Sequence, residues 1–207
     1  MDNLPLLFRH IMAKLDGLSK ELRYHGIEHT LAVYQQCENI AHAENITDPE
    51  KIYLLKVAAL YHDTGFLYIY NGHEEVSCKL ATQELPAYGL NEKQIETICG
   101  LIMATRVPQS PKNHLEQIIC DADLDCLGRD DYEITSSNLY HELLREGLVK
   151  DDDEWLQQQI SFLESHQYFT DWSKENRAPL KQQNYESLRL STQSRNEFNT
   201  QSRKEFK

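Results

Sequence analysis

Residues 48–65 read Asp-Pro-Glu-Lys-Ile-Tyr-Leu-Leu-Lys-Val-Ala-Ala-Leu-Tyr-His-Asp-Thr-Gly, and this stretch decides the fold. Asp48 is a capping residue, and Pro49 is preset for the first helical position. The helix that follows, Lys51 to Asp63, is apolar on most sides through Ile52, Leu54, Leu55, Val57, Ala58, Ala59 and Leu60. A helix apolar nearly all round is a central, buried one. Gly65 offers it a natural stop.

Outward from this helix the same period recurs. Leu4, Leu7, Ile11 and Leu15 follow helical spacing until Gly17 breaks it. A second helix is predicted from about Ile27 to Asn45, with His29, Val33, Cys37, Ile40 and Ala41 near one face. Asn91 and Gln94 form a capping-box start for a helix through Ile95, Ile98 and Ile102. The two prolines of Val107-Pro108-Gln109-Ser110-Pro111 mark a loop. Further helices are expected over 115–127, 131–146 and 152–166. The Asp151-Asp152-Asp153 run reads as acidic charge against a helix N-terminus, not as a metal site. Apart from a short Phe66–Tyr70 stretch, nothing alternates as a strand would. The expectation is an all-α bundle.

That bundle is expected to be one domain over 1–190. The segment 181–207 has only five hydrophobic residues, and Thr192–Asn199 nearly repeats as Thr200–Lys207. A duplicated polar octapeptide cannot build a core. A last packed helix should therefore end near Leu190, with a disordered or partner-dependent tail over 191–207.

Composition narrows the function classes. The 207 residues are 40% hydrophobic and 26% charged, with a mean hydropathy of −0.62. No apolar run approaches the roughly 18 residues of a membrane span. Arg9, His10 and Lys14 interrupt the N-terminal segment, which does not read as a secretory signal. Five cysteines without a CxxC pair read as reduced, buried hydrophobes in a cytoplasm. Residues 1–180 carry 15 basic against 30 acidic side chains, or −15, which argues against long nucleic acid as a partner.

The chemistry gathers at three places. His62-Asp63 ends the most apolar helix, where a carboxylate would lose its hydration unless a cation or strong donors replaced it. The pair is either a bidentate metal corner or an exposed last turn with a solvated aspartate. His29 falls on the stripe of Val33 and Ile40 and points inward, as a ligand or as a satisfied core histidine. His25 stands four residues earlier on the same side, free to move a proton. In Cys120-Asp121-Ala122-Asp123-Leu124-Asp125, aspartates two apart on a helix cannot all face solvent. Asp123 shares a face with Ile119 and Cys126 and is the inward candidate. Asp121 and Asp125 read as outward, or as supports for the ligands.

His29, His62-Asp63 and Asp123 together resemble the H…HD…D signature of the HD-domain metal-dependent phosphohydrolases. Tyr24-His25-Gly26, followed by His29-Thr30, is similar to the Tyr-His-Asn segment of the cyclic-nucleotide phosphodiesterase branch, with Gly26 replacing Asn. Asp121–Gly128 looks like the Asp-Ala-Asp phrase of small bacterial HD hydrolases, and Gly72-His73-Glu74-Glu75 resembles the step after their HD pair. The resemblance spans Tyr24 to Arg129. It implies an HD-type helical bundle with a helical C-terminal extension. It also implies that His29, His62, Asp63 and Asp123 ligate a divalent metal (Mn²⁺, Mg²⁺, Fe²⁺, Co²⁺ or Ni²⁺). Asp63 could bridge to a second ion assisted by His73. That second site is left open, because Met103-Ala104-Thr105-Arg106 stands where some branches have another histidine. His25 matches the histidine that protonates the leaving oxygen.

The function so implied is hydrolysis of a phosphate ester of a small molecule, a nucleotide foremost, by metal-activated water. Arg106 and Arg129 are the candidate substrate-binding cations, each with the alternative of an ordinary solvated arginine. Two other classes remain: an inert metal-binding sensory or interaction module, and a di-iron oxygenase on the same scaffold. The first helix is either a core lid or a dimer face, so a homo-oligomer stays open.

Overall fold

The helix around Leu54 is the centre of the molecule. It is α3 (Pro49–Tyr61), and Asp48 caps it by accepting from the Glu50 N–H at 2.9 Å. Every residue from Tyr53 to Tyr61 is buried except Lys56, whose ammonium reaches Glu38 at 2.7 Å. Five helices pack round it: α1 (Leu4–Leu15), α2 (Ile27–Ala43), α4 (His73–Glu84), α5 (Glu92–Ala104) and α6 (His114–Asp123). The computed structural model describes residues 3–205, with side chains as far as Thr192. Among the described residues it is all helix, without a strand, and no helix is long and apolar enough to cross a membrane.

The start signals act as their chemistry requires. Asn91 and Gln94 form the full capping box of α5, each side chain bonded to the other's backbone N–H at 3.0 Å. Asp151 accepts from the Glu154 N–H at 2.9 Å at the head of α8 (Asp152–Ser165), so the acidic run caps and charges a helix. Of the two readings of α1, the core lid is the one its packing fits. Leu7, Ile11 and Leu15 are buried in the main core, while Leu6 faces out.

Three differences carry physical reasons. First, α3 ends at Tyr61, and Asp63 precedes a single 3₁₀ turn, Thr64–Leu67, instead of closing the α-helix. This turn also takes the start of Phe66–Tyr70, the one stretch with a strand-like pattern. Gly65 is needed for closeness more than for stopping the helix, because a Cβ there would collide with the His73 carbonyl. Second, the expected 115–127 helix divides into α6 and a 3₁₀ turn, Asp125–Gly128. Gly128 lies so close to the Arg177 carbonyl that a side chain could not fit.

Third, Asp121 and Asp125 are not outward. Asp121 is fully buried and accepts from the Phe169 N–H (2.9 Å), the Thr170 N–H (2.8 Å) and the Thr170 hydroxyl (2.7 Å). Asp125 accepts from Gln36 at 3.0 Å and from Arg177 Nε at 2.7 Å. The C-terminal extension covers the face of α6 that a bare domain would leave to water. It comprises α7 (Tyr132–Arg145), α8, α9 (Asp171–Asn176) and α10 (Ala178–Glu205). Its own small core joins Leu127, Tyr132, Leu163 and Tyr168, with Phe162, Tyr185 and Leu188 packed against them. Leu188 still packs against that core, and Leu190 is 63% exposed. The α10 backbone nonetheless continues to Glu205, past the expected end near Leu190, in a segment free of proline and glycine. Side chains of the duplicated octapeptide beyond Thr192 lie outside the described residues.

Candidate metal centre

Three elements bring the candidate ligands together. His29 stands in the first turn of α2, on the buried stripe of Val33, Cys37 and Ile40. His62 and Asp63 leave the buried end of α3, and Asp123 closes α6. Ser77 of α4 clamps the turn after them, donating to the His62 carbonyl (2.7 Å) and accepting from the Gly65 N–H (2.8 Å).

The side chains converge on one point. His29 Nε2 lies 3.1 Å from Asp123 Oδ1, 3.4 Å from Asp63 Oδ2 and 3.3 Å from His62 Nε2. His62 Nε2 lies 3.2 Å from Asp63 Oδ2 and 3.5 Å from Asp123 Oδ1. The ligand atoms of His29, His62 and Asp123 all fall within 4.8 Å of one another. His62 donates from Nδ1 to the Ala59 carbonyl at 2.8 Å, which turns the Nε2 lone pair inward. Asp63 Oδ2 is buried and has no hydrogen-bond partner. An orphaned carboxylate oxygen between two imidazole nitrogens fits a divalent cation with mixed nitrogen and oxygen preference.

Electrostatics agree with that fit. Burial alone would raise the Asp63 pKa, but His62, His25 and His29 outweigh it and hold the carboxyl well below the usual range. Asp123, buried yet hydrogen-bonded by His29 and His62, is held at about 2. Burial would lower the His62 pKa, and Asp63 and Asp123 instead push it well above 6.5. Two ionised carboxylates thus draw a proton onto the His62 imidazole, a proton that a metal would displace.

His73 opens α4 and approaches Asp63 from the other side, with Nε2 3.5 Å from Oδ1. Its Nδ1 faces the Tyr70 carbonyl at 3.1 Å. Its ring stacks with Phe66 at 3.9 Å, and Phe66 also stacks with His25 at 4.3 Å. His25 is held by Glu142 of α7: Nδ1 lies 2.7 Å from Oε2, and the backbone N–H donates to Oε1 at 2.9 Å. The Tyr24 N–H donates to the same carboxylate. Burial lowers the His25 pKa, but the Glu142 bond and the Asp63 and Asp123 charges prevail and raise it.

Asp63, His73 and His25 open into a cavity of about 580 Å³ whose far wall is α7 and α8, through Tyr132, Trp155 and Phe162. Arg106 also lines it, paired with Glu75 and 3.5 Å from Glu74. Arg129 is not among its lining residues. It donates twice to Asp131, at 2.9 and 2.6 Å, and lies 3.9 Å from Asp125. The structure therefore brings Arg106 to the site and leaves Arg129 at the extension.

Residues 26–125 match the family model described as HD domain. That segment, just under half of the chain, is therefore similar to an HD domain, which supports the HD-domain metal-dependent phosphohydrolase superfamily. Domains of this kind are generally metal-dependent phosphohydrolases and bind divalent metals. No curated protein and no solved structure gives a significant match. The matched HD segment contains His29, His62, Asp63, His73, Arg106 and Asp123, whereas His25 and Glu142 fall outside it. Glu142 was missed from sequence although a signal existed. It shares the stripe of Tyr132, Leu139 and Leu143 on α7, where a carboxylate must find a buried donor. The aromatic wall carried no such mark, since nothing local says that α7 and α8 fold back over the HD core.

Proposed function

We propose that the chain hydrolyses a phosphate ester of a small molecule, a nucleotide foremost. The observation that carries this reading is the convergence of His29, His62, Asp63 and Asp123 at the wall of a cavity beside a carboxylate-held His25. These four would hold one divalent ion from among Mn²⁺, Mg²⁺, Fe²⁺, Co²⁺ and Ni²⁺. Bound there, the ion supplies Lewis acidity, polarising a phosphoryl oxygen and acidifying a water. The proximity of His73 to Asp63 supports these two as the residues that would hold a second, weaker ion.

His25 is the proton donor in this reading. With Nδ1–H directed at Glu142, Nε2 carries the mobile proton and can deliver it to the departing oxygen. Glu142 orients the ring and raises the pKa of His25, which favours its protonated form. Arg106 exchanges Glu75 for the substrate phosphate, which is the local positive charge an acidic domain requires. The volume admits a small phosphorylated molecule and excludes a duplex. The wall from Tyr132, Trp155 and Phe162 takes the uncharged part.

The test is turnover of a phosphomonoester, a phosphodiester and a nucleotide panel with Mn²⁺ or with chelator. Metal-dependent release of product, abolished in Asp63→Ala, is the expected result. Metal bound without turnover of any substrate would overturn the enzyme in favour of a sensory or interaction module.

A further inference from the structure

The cysteines divide into two kinds. Cys37 and Cys120 are buried, and burial pushes both thiols far up. Cys126 is pushed to about 11 by burial, with the Tyr24 hydroxyl 3.3 Å away. These three are poor nucleophiles at neutral pH. Cys78 and Cys99 are only half-buried and stand on facing turns of α4 and α5.

Their contact is reciprocal. Cys78 Sγ lies 3.5 Å from the Cys99 carbonyl, and Cys99 Sγ lies 3.7 Å from the Cys78 carbonyl. Each thiol sits over the other's peptide and donates to its carbonyl. Such an arrangement puts both side chains in the same gap between α4 and α5, the closeness a disulfide needs. Thr82 Oγ1 donates to the Cys78 carbonyl at 2.8 Å and lies 3.7 Å from Cys99 Sγ. The neighbouring Cys78 thiol holds the Cys99 thiol down at about 6, while Cys78 is raised, so Cys99 is the nucleophile of the two.

We propose that Cys78 and Cys99 are a redox pair that a low-molecular-weight disulfide oxidises to an intramolecular disulfide joining α4 to α5. The Cys99 thiolate attacks one sulfur of the small disulfide, forms a mixed disulfide and releases one thiolate, which takes up a proton. Cys78 then loses its proton and attacks Cys99 Sγ, expelling the second small thiol. Two protein thiols become one disulfide, and one small disulfide becomes two thiols. The bond ties the helix that begins at His73 to the helix that ends two residues before Arg106.

The test uses the full chain, reduced and then exposed to glutathione disulfide, and does not depend on hydrolysis. Thiol counting after denaturation should fall from five to three, and non-reducing digestion should yield a peptide pair linked through Cys78 and Cys99, released by dithiothreitol. Cys78→Ser should stop at one glutathione on Cys99. Cys99→Ser should react at least tenfold more slowly, with circular dichroism confirming that both variants fold. Lasting glutathione adducts without a cross-link in the unmodified chain, a cross-link through any other cysteine, or five unreacted thiols would overturn the proposal.

Discussion

The first six helices and the last four are held by different forces. Helices α1–α6 close a continuous aliphatic core on all sides of α3. The extension has a core of four buried side chains and is fastened by polar links instead. Asp121 holds the Phe169-Thr170 backbone, Asp125 holds Arg177, Glu142 holds Tyr24 and His25, and the Tyr168 hydroxyl donates to the Leu124 carbonyl at 3.1 Å. A hydrophobic core tolerates small shifts, whereas a buried polar link demands its partner. The HD core therefore builds the candidate metal centre, and the extension docks at a fixed angle and adds a positioning residue and a cavity wall.

This division can be broken at Glu142, where the largest effect is expected. Glu142→Gln should cost about 10²-fold in kcat or more, the usual worth of a positioned proton donor, while metal content stays unchanged. The upper limb of the pH–rate profile should also move to lower pH, because a charge that raises the His25 pKa is gone. An unchanged profile would leave Glu142 as a link without a part in proton transfer.

Asp121→Ala should loosen the extension without touching the ligands. It strands two backbone donors and a hydroxyl, a loss of about 3 kcal/mol in urea unfolding. A separate early transition for α7–α10, with the HD core melting as before, would sharpen the comparison. A single transition at the wild-type midpoint would break it.

Acid should act on the same region. His166 is half-buried beside Lys181, and burial with that charge lowers its pKa from 6.5 to about 4. The unfolded chain then binds the proton first as pH falls. The stability this neutral histidine contributes is whole above pH 6.5 and declines between about 6.5 and 4, by up to about 3 kcal/mol. Denaturant midpoints across that range check it, and His166→Gln should flatten the slope.

The smallest effect separates the two arginines. Arg106→Ala should raise KM severalfold with little change in unfolding midpoint, since its exposed pairing with Glu75 adds little stability. Arg129→Ala should leave KM alone. A KM effect at Arg129 would mean that substrate reaches further along the extension than the cavity implies.

The HD half was legible because its signals are local. An all-round apolar helix, a proline at a helix start, a capping box and a histidine on an apolar stripe each act over a few residues, and each was found where expected. Asp121 and Asp125 were misread because their partners, Thr170 and Arg177, lie about fifty residues away in sequence. Arg129 was misplaced for a related reason: a basic side chain after an aspartate phrase looks available until Asp131 is seen to hold it. Glu142 shows the intermediate case, in which the stripe betrays burial but not the partner.

The most direct test of the account is Mn²⁺ affinity measured by calorimetry on the unmodified chain, Asp63→Ala and Glu142→Gln. The account predicts tight binding in the first, at least a hundredfold loss in the second, and affinity within about threefold of the first in the third. Undiminished binding in Asp63→Ala, with its helical spectrum intact, would contradict it.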